Sequence, residues 1–255
     1  GVYGAVAVGK ISVFKRQDVQ VRREKTEDTA SELKRLEDAK TAAIAQLQEI
    51  YEKALREVGE ANAAIFEIHM MMVEDEDYND AITEMITTQN VNAEYAVAIT
   101  GDNFAEMFAA MDDAYMQARS ADVRDISNRI IGCLTNGEST DTQSDEPVII
   151  CADDLAPSET VTLDKDRVLA FVTAHGSSNS HTAILARNMN IPAIIGVGET
   201  FLSEISDGDT AVVNGFTGEF ILHPDEQTIN NAEKKREEEQ EKKALLQKLK
   251  GKENI

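Results

Sequence analysis

The residues best suited to chemistry lie in Gly176-Ser177-Ser178-Asn179-Ser180-His181-Thr182-Ala183-Ile184-Leu185-Ala186-Arg187. An apolar, β-branched run, Val168 to Val172, leads into this loop of small polar residues, and a helical pattern begins at His181. Ser180 or Asn179 can serve as the N-cap. The first turn of a helix offers unpaired N–H groups and the positive end of the helix dipole, a natural seat for an anion such as phosphate. Ser177, Ser178 and Asn179 add hydroxyl and amide donors, and Gly176 lets the backbone approach closely. A neutral imidazole there has a nitrogen lone pair beside an anion cradle, so it can accept a phosphoryl group as a covalent intermediate. Its reference pKa of about 6.5 keeps the neutral form available near pH 7. The same spacing also suits a histidine that merely opens a helix, and Arg187 serves equally as a phosphate neutraliser or a salt-bridge partner.

Other constellations carry less. His175, His181, Cys151 and Cys133 lack zinc-ligand spacing. No GxSxG elbow or Walker loop is present. Asp153 and Asp154 read as a turn or helix cap before Pro157 rather than as a catalytic pair. Phe66, His69, Met70 and Val73 fall at helical intervals, with Met71 and Met72 widening the stripe. That stripe reads as core, or as an adaptable apolar centre for a partner. The acids Glu74 to Asp77 read as a solvated helix start, or as a rim that steers a basic partner.

Two kinds of structure must position these residues. All four prolines fall after residue 146, and between Lys10 and Ile131 the only glycines are Gly59 and Gly101. So few breakers predict helix. Leu33, Leu36, Ala43, Leu47, Ile50, Ala54, Leu55 and Val58 mark one face of a long helix, and Ala64, Ile65, Ile68 and Met72 mark a second. Asp77 to Thr88, Ala93 to Met111 and Ala114 to Ile131 read as three more, and such helices bury their stripes against one another as a bundle. The texture then changes. Val148 to Ile150, Val168 to Val172, Ala193 to Ile195, Ala211 to Val213 and Phe220 to Leu222 read as strands, with a helix from His181 to Met189. This is an α/β domain. The opening segment Ala5 to Phe14 is expected to join its sheet, which makes the bundle an insertion: 1–20 with 137–224 around 21–136. Residues 225–255 read as a charged helix leading to a further domain.

The chain carries 47 acidic against 25 basic side chains, a formal charge of -22. The segment from Asp225 onward is neutral in sum, so the whole excess resides in residues 1–224. This argues against unaided binding to nucleic-acid phosphates and suits a basic partner. With 5% aromatics and no Trp there is no stacking platform for single strands. The two cysteines form no disulfide framework, so a reducing, cytoplasmic setting is expected. No apolar run is long enough to span a bilayer. The opening GVYGAVAVGK lacks both a signal-peptide pattern and an initiating Met, so a trimmed start is expected.

Ser-His-Thr-Ala-Ile-Leu-Ala-Arg, followed by Asn-Met-Asn-Ile-Pro-Ala-Ile-Ile-Gly, resembles the phosphohistidine signature of phosphoenolpyruvate-utilising enzymes. Ser177 replaces the signature's second Gly and Asn179 replaces its Thr. Residues 64–77, 119–126 and 152–160 are similar to segments of the Enzyme I family of the bacterial sugar phosphotransferase system. Gly4 to Lys10 follows that family's opening loosely, with Ala5 at its Gly. The resemblance implies a swivelling β/α/β phosphohistidine domain, an inserted all-α bundle that binds the phosphocarrier HPr, and a C-terminal linker helix. It implies that a phosphoryl group passes from phosphoenolpyruvate through His181, at Nε2, to a histidine of HPr, with Thr160 bonding the unphosphorylated ring. Gly176, Ser177, Ser178, Asn179 and Ser180 form the phosphate loop, and Glu60, His69, Met72, Asp75, Glu76 and Arg119 map to the HPr surface. Ala61 and Asn62 are uncharged where family members often carry charge. The family further implies a missing carboxy-terminal domain that binds phosphoenolpyruvate and Mg²⁺ and dimerises. No metal site is expected in these residues themselves. A monomer is expected that exchanges phosphate with phospho-HPr but does not use phosphoenolpyruvate alone. The alternative is the phosphohistidine domain of a pyruvate phosphate dikinase or phosphoenolpyruvate synthase.

Overall fold

A computed structural model describes residues 1–14, 20–135, 146–176 and 180–252. The chain divides into two compact units, Gly1–Arg16 with Thr142–Ile255 and, between them in sequence, Gln17–Asp141.

The intervening unit is helical. Its first helix, α1 (Thr29–Glu57), buries Leu36, Ala39, Ala43, Leu47, Ile50 and Ala54. Those steps of three and four residues keep one stripe inward over the whole length. Leu55, predicted on that stripe, points outward at 37% exposure, because one residue past Ala54 turns the side chain about 100° away. Asp28 caps the helix by accepting from the Ser31 amide at 3.0 Å. Gly59 separates α1 from α2 (Glu60–Val73), which precedes α3 (Glu76–Gln89), α4 (Ala93–Ala109) and α5 (Ala114–Leu134). Gly101 lets α4 and α5 approach closely: a Cβ there would lie 2.5 Å from Ser127 Oγ. That hydroxyl sits 2.7 Å from the buried Tyr78 hydroxyl of α3.

A polar clamp ties the segment before α1 to this bundle. The Asn92 side chain donates to the Arg22 carbonyl at 3.0 Å and accepts from the Glu24 amide at 2.9 Å. Thr26 N–H reaches the Asn90 carbonyl at 2.8 Å. Arg35 of α1 pairs with Glu94 of α4 and with Glu32, and donates to the Leu134 carbonyl at the end of α5. Glu32 in turn accepts from the Ala93 amide at 2.7 Å. None of this was legible in the hydrophobic pattern.

The other unit is built on one six-stranded sheet. Its strands are β1 (Val6–Val13), β2 (Val148–Ala152), β3 (Val168–Thr173), β4 (Ala193–Ile195), β5 (Thr210–Asn214) and β6 (Glu219–Leu222). Their spatial order is β4-β3-β2-β1-β5-β6. β1 to β4 are parallel, while β5 and β6 join antiparallel beyond β1. Because β1 pairs with β2, the helical unit is an insertion between neighbouring strands. Side chains alternate as a pleat requires. Ala7, Ile11, Ile149, Cys151, Ala170, Val172 and Val213 share one core cluster, with Phe201 and Ile205 packed onto it. Val6 and Val212 form another with Ala232 of α9 (Glu226–Lys252).

Three further short helical pieces were not predicted: α6 (Pro157–Thr162), a single 3₁₀ turn at Lys165–Arg167, and α8 (Thr200–Glu204). The chain order is completed by α7 (His181–Met189), between β3 and β4.

Burial pushes the Glu94 carboxyl up, but the Arg35 guanidinium, with the Asn92 amide, outweighs it and holds the group below its ordinary 4.5. A depressed folded-state pKa adds stability that is fully present above the unfolded value and is lost as pH falls through the folded one. Glu94→Gln is expected to cost about 1 kcal/mol at pH 7. Urea unfolding against pH should show its gap from the parent chain closing below about pH 4. A gap that stays constant down to pH 3 would remove the ion pair as the cause.

Candidate functional site

In a parallel sheet the strands end together, and the loops leaving those ends converge. β2, β3 and β4 finish at Ala152, Thr173 and Ile195. Backbone bonds then lace the following loops: His175 N–H to the Asp153 carbonyl at 2.9 Å, Gly196 N–H to Thr173 at 2.9 Å, and Gly198 N–H to Ala174 at 2.9 Å. The Thr173 hydroxyl braces the turn by donating to the His175 carbonyl at 2.7 Å. Gly176 has φ +113°, and a Cβ there would press on Ile195 Cγ2 at 3.0 Å, so glycine is required by conformation and by space. The His175 ring faces Asp153 at 3.2 Å and Glu199 at 3.4 Å. Asp154 caps its own turn by accepting from the Leu155 amide at 2.9 Å. The α6 cap is therefore not an aspartate: Glu159 reaches back to the Ala156 amide at 2.8 Å.

Ser180 is the N-cap of α7, with an extended backbone and its hydroxyl accepting from the Ala183 amide at 3.3 Å. His181 is thus the first helical residue. Ser177, Ser178 and Asn179, the remainder of the predicted phosphate loop, lie outside the described residues. The ring of His181 is half-buried, and its Nε2 is shielded from solvent. Its Nδ1 lies 3.2 Å from the hydroxyl of Thr160, a fully buried residue of α6. That same hydroxyl lies 2.8 Å from the Pro157 carbonyl. A carbonyl can only accept, so the single hydroxyl proton of Thr160 goes to Pro157. Toward His181 the Thr160 oxygen is then an acceptor, which places the imidazole proton on Nδ1 and leaves the lone pair on Nε2. The sequence pairs Thr160 with His181 only through the resemblance. The Pro157 carbonyl that sets the direction of the bond had no sequence signal.

The helical-unit residues named from sequence separate by burial. Glu60, Asp75 and Glu76 are exposed, Met72 is half-buried, and Met71 is 71% exposed. Asp75 also caps α3, accepting from the Tyr78 amide at 2.9 Å. His69 is inside, at 1% exposure, with Nε2 held 2.9 Å from Asp122 Oδ1. Its position facing α5 makes it a residue of the interior rather than of the surface. Arg119 folds back onto Asp122 at 2.9 Å and under the ring of Tyr115 at 4.4 Å. Tyr115 is exposed and was not singled out from sequence. An aromatic residue in the first turn after a capping Asp113 was the signal available.

Among the described residues no three His, Cys, Asp or Glu side chains converge as a metal site. Thr160→Val keeps shape and removes the acceptor. In the parent chain, ¹⁵N chemical shifts of the neutral ring should report Nδ1–H as the dominant tautomer. In the variant, both tautomers should be populated, with a stability loss of about 1–2 kcal/mol for the orphaned polar groups. A parent ring already protonated on Nε2 would contradict the assignment.

Residues 1–119 match the family described as PEP-utilising enzyme, N-terminal, and residues 144–218 match PEP-utilising enzyme, mobile domain. The phosphoenolpyruvate-protein phosphotransferase of Enterococcus faecalis (strain ATCC 700802 / V583) is 39% identical over 253 residues, covering 98% of this chain and 44% of that protein. Its counterpart from Bacillus subtilis (strain 168) is 34% identical over 250 residues, with the same coverage of 98% and 44%. The chain therefore spans less than half the length of these relatives. An NMR solution structure of Enzyme I (nEIt) superposes with a TM-score of 0.77 at 34% identity, covering 94% of this chain and 97% of that one. The N-terminal domain of Enzyme 1 - Nitrogen shares the fold, with a TM-score of 0.63 at 24% identity. Since the likeness to nEIt runs through nearly the whole of both chains, this chain belongs to the Enzyme I family of PEP-utilising enzymes, of which it carries the amino-terminal and mobile-domain regions.

Proposed function

We propose that His181 accepts a phosphoryl group on Nε2 and exchanges it with a histidine of the phosphocarrier HPr. The observation that carries this is the hydrogen bond from Nδ1–H to Thr160, whose own proton is committed to Pro157. It fixes which nitrogen can attack. Nε2 donates its lone pair to the phosphorus of the carrier's phosphohistidine. An N–P bond forms on His181 while the N–P bond on the carrier breaks, and the electron pair returns to the carrier's ring. Nδ1 keeps its proton throughout, and Thr160 supports the positive ring that results. Because Nε2 is shielded in this conformation, delivery requires the ring edge to turn outward. While shielded, the phosphorylated nitrogen would be guarded from water.

The helical unit supplies the docking surface in this reading. It holds 27 acidic and 11 basic residues. From Glu57 to Ala118 it contains no Lys or Arg at all. A surface of that sign draws in a basic protein quickly and repels an acidic one. Glu60, Met72, Asp75 and Glu76 belong to it. The complete protein would take its phosphoryl group from phosphoenolpyruvate in a further, carboxy-terminal domain that also holds Mg²⁺ and dimerises. The present chain would be a cytoplasmic monomer. No helix among the described residues is long and apolar enough to cross a membrane.

Mixing the chain with ³²P-labelled phospho-HPr tests the exchange. Label should appear on His181, and His181→Ala should lower it at least a hundredfold. Label on another residue, or full transfer by His181→Ala, overturns the reading. Phosphoenolpyruvate with Mg²⁺ and no carrier should leave the chain unlabelled.

A further inference from the structure

The chain leaves β3 through Ala174 and His175, and His175 is fastened to the neighbouring loops by its backbone and by its ring. Its N–H reaches the Asp153 carbonyl at 2.9 Å, and its own carbonyl accepts from the Thr173 hydroxyl at 2.7 Å. With both backbone groups committed, the ring is aimed across the strand ends. Nε2 lies 3.2 Å from Asp153 Oδ1, beyond β2, and 3.4 Å from Glu199 Oε1, beyond β4. Glu199 stands at the N-cap position of α8 yet makes no side-chain cap there. Asp153 likewise leaves the closing of its turn to Asp154. Both acids therefore turn to the imidazole instead of capping locally. A carboxylate can only accept, so the ring meets this pair with its proton on Nε2. That is the opposite tautomer to the one that Thr160 sets on His181.

We propose that His175 is a positioning residue for His181: by holding Asp153 it fixes the start of the segment that delivers Thr160 to the imidazole. Its kinetic consequence rests on the phosphoryl-transfer reading given above, while its geometry does not. From Asp153 the three residues 154–156 lead to Pro157, where α6 opens. The Pro157 carbonyl and the Thr160 hydroxyl both belong to that helix, and together they place the His181 proton. With six residues α6 has less than two turns, so its placement depends on what holds its ends. Leu155, 5% exposed, seats the connecting segment in the core, and Glu159 closes the first turn on the Ala156 amide. The hold of His175 on Asp153, through backbone and ring together, sets the direction in which that segment leaves β2. Glu199 ties the loop after β4 to the same ring, so the brace spans three strand ends. Exposed charge pairs add little to global stability. The consequence is therefore local: a small displacement of Thr160 disturbs a 3.2 Å contact without unfolding the unit.

Ring ¹⁵N spectra test the brace and need no carrier. In the parent chain His175 should report Nε2–H and His181 Nδ1–H. In His175→Ala the His181 ring should populate both tautomers, and His175→Gln, whose amide nitrogen can still donate to Asp153, should restore Nδ1–H. Exchange with phospho-HPr should lose about fivefold in kcat in His175→Ala, with KM little changed and most of the loss recovered by His175→Gln. In an Asp153→Ala background, His175→Ala should add no further loss. A parent His175 with its proton on Nδ1 overturns the proposal, as does an unmoved His181 tautomer or an unchanged kcat in His175→Ala. An equal kcat loss with or without the Asp153 carboxylate overturns it too. Should His175→Ala fail to fold, the His181 tautomer in Asp153→Ala decides the same question, and an unmoved tautomer there overturns the brace. No labelling of the unaltered chain by phospho-HPr defeats the transfer reading, and the tautomer spectra then judge the brace alone.

Discussion

A hydroxyl group has one proton to give, and Thr160 gives it to the carbonyl of Pro157. What remains toward His181 is an oxygen lone pair, which places the ring proton on Nδ1 and leaves the lone pair on Nε2, the nitrogen proposed to attack. Much of the α/β unit serves this contact. Pro157 opens α6 in the one place where a missing N–H costs nothing. Glu159 satisfies the amide of Ala156, so the first turn holds its shape without a polar cap residue. α7 is set by Ser180 at the mouth of the parallel strands. The direction of a single bond thus depends on two short helices meeting correctly, and the sheet supplies the fixed base for both.

How much of this the sequence reveals depends on the range of each interaction. Long periodic elements were legible, because burial of a stripe acts on every third or fourth residue. α1 to α5 and the strands lie close to where spacing puts them. α6, with six residues, is too short to show a period, so spacing gave no helix over Pro157–Thr162. The Asn92 clamp on Arg22 and Glu24 joins a side chain to backbone groups about seventy positions away, and backbone groups carry no sequence signal. His69 was legible as a histidine on an apolar stripe, but not its depth. That depth depends on Asp122 arriving from α5 to satisfy it.

The site itself divides the same way. The type of residue at 181 and its place at a helix start follow from local pattern, and the resemblance adds its chemistry. The tautomer does not follow, since it is fixed by atoms of residues 157 and 160 brought in by tertiary structure. Asp153 and Asp154 show the converse. Adjacent carboxylates invite a metal or an acid–base pair, yet one faces His175 and the other closes its own turn. Geometry assigns both of them to holding loops at the strand ends.

The proposed exchange between two phosphohistidines constrains such a site. The bond broken and the bond formed are of the same kind, so the reaction is nearly balanced and neither side should hold the group too tightly. Binding the phosphoryl group strongly would lower the energy of the intermediate more than that of the transition state and slow its release. Among the described residues, three groups beside His181 fit that requirement: a neutral hydroxyl at Nδ1, a serine cap, and the partial charge of a short helix. A helix terminus stabilises an anion modestly and screens readily, unlike a buried guanidinium. In the helical unit, by contrast, guanidiniums are paired directly with carboxylates, Arg35 with Glu94 and Arg119 with Asp122. Those pairs tie elements of the helical unit together. In the proposed exchange, a transfer site that holds the phosphoryl group only modestly lets it leave.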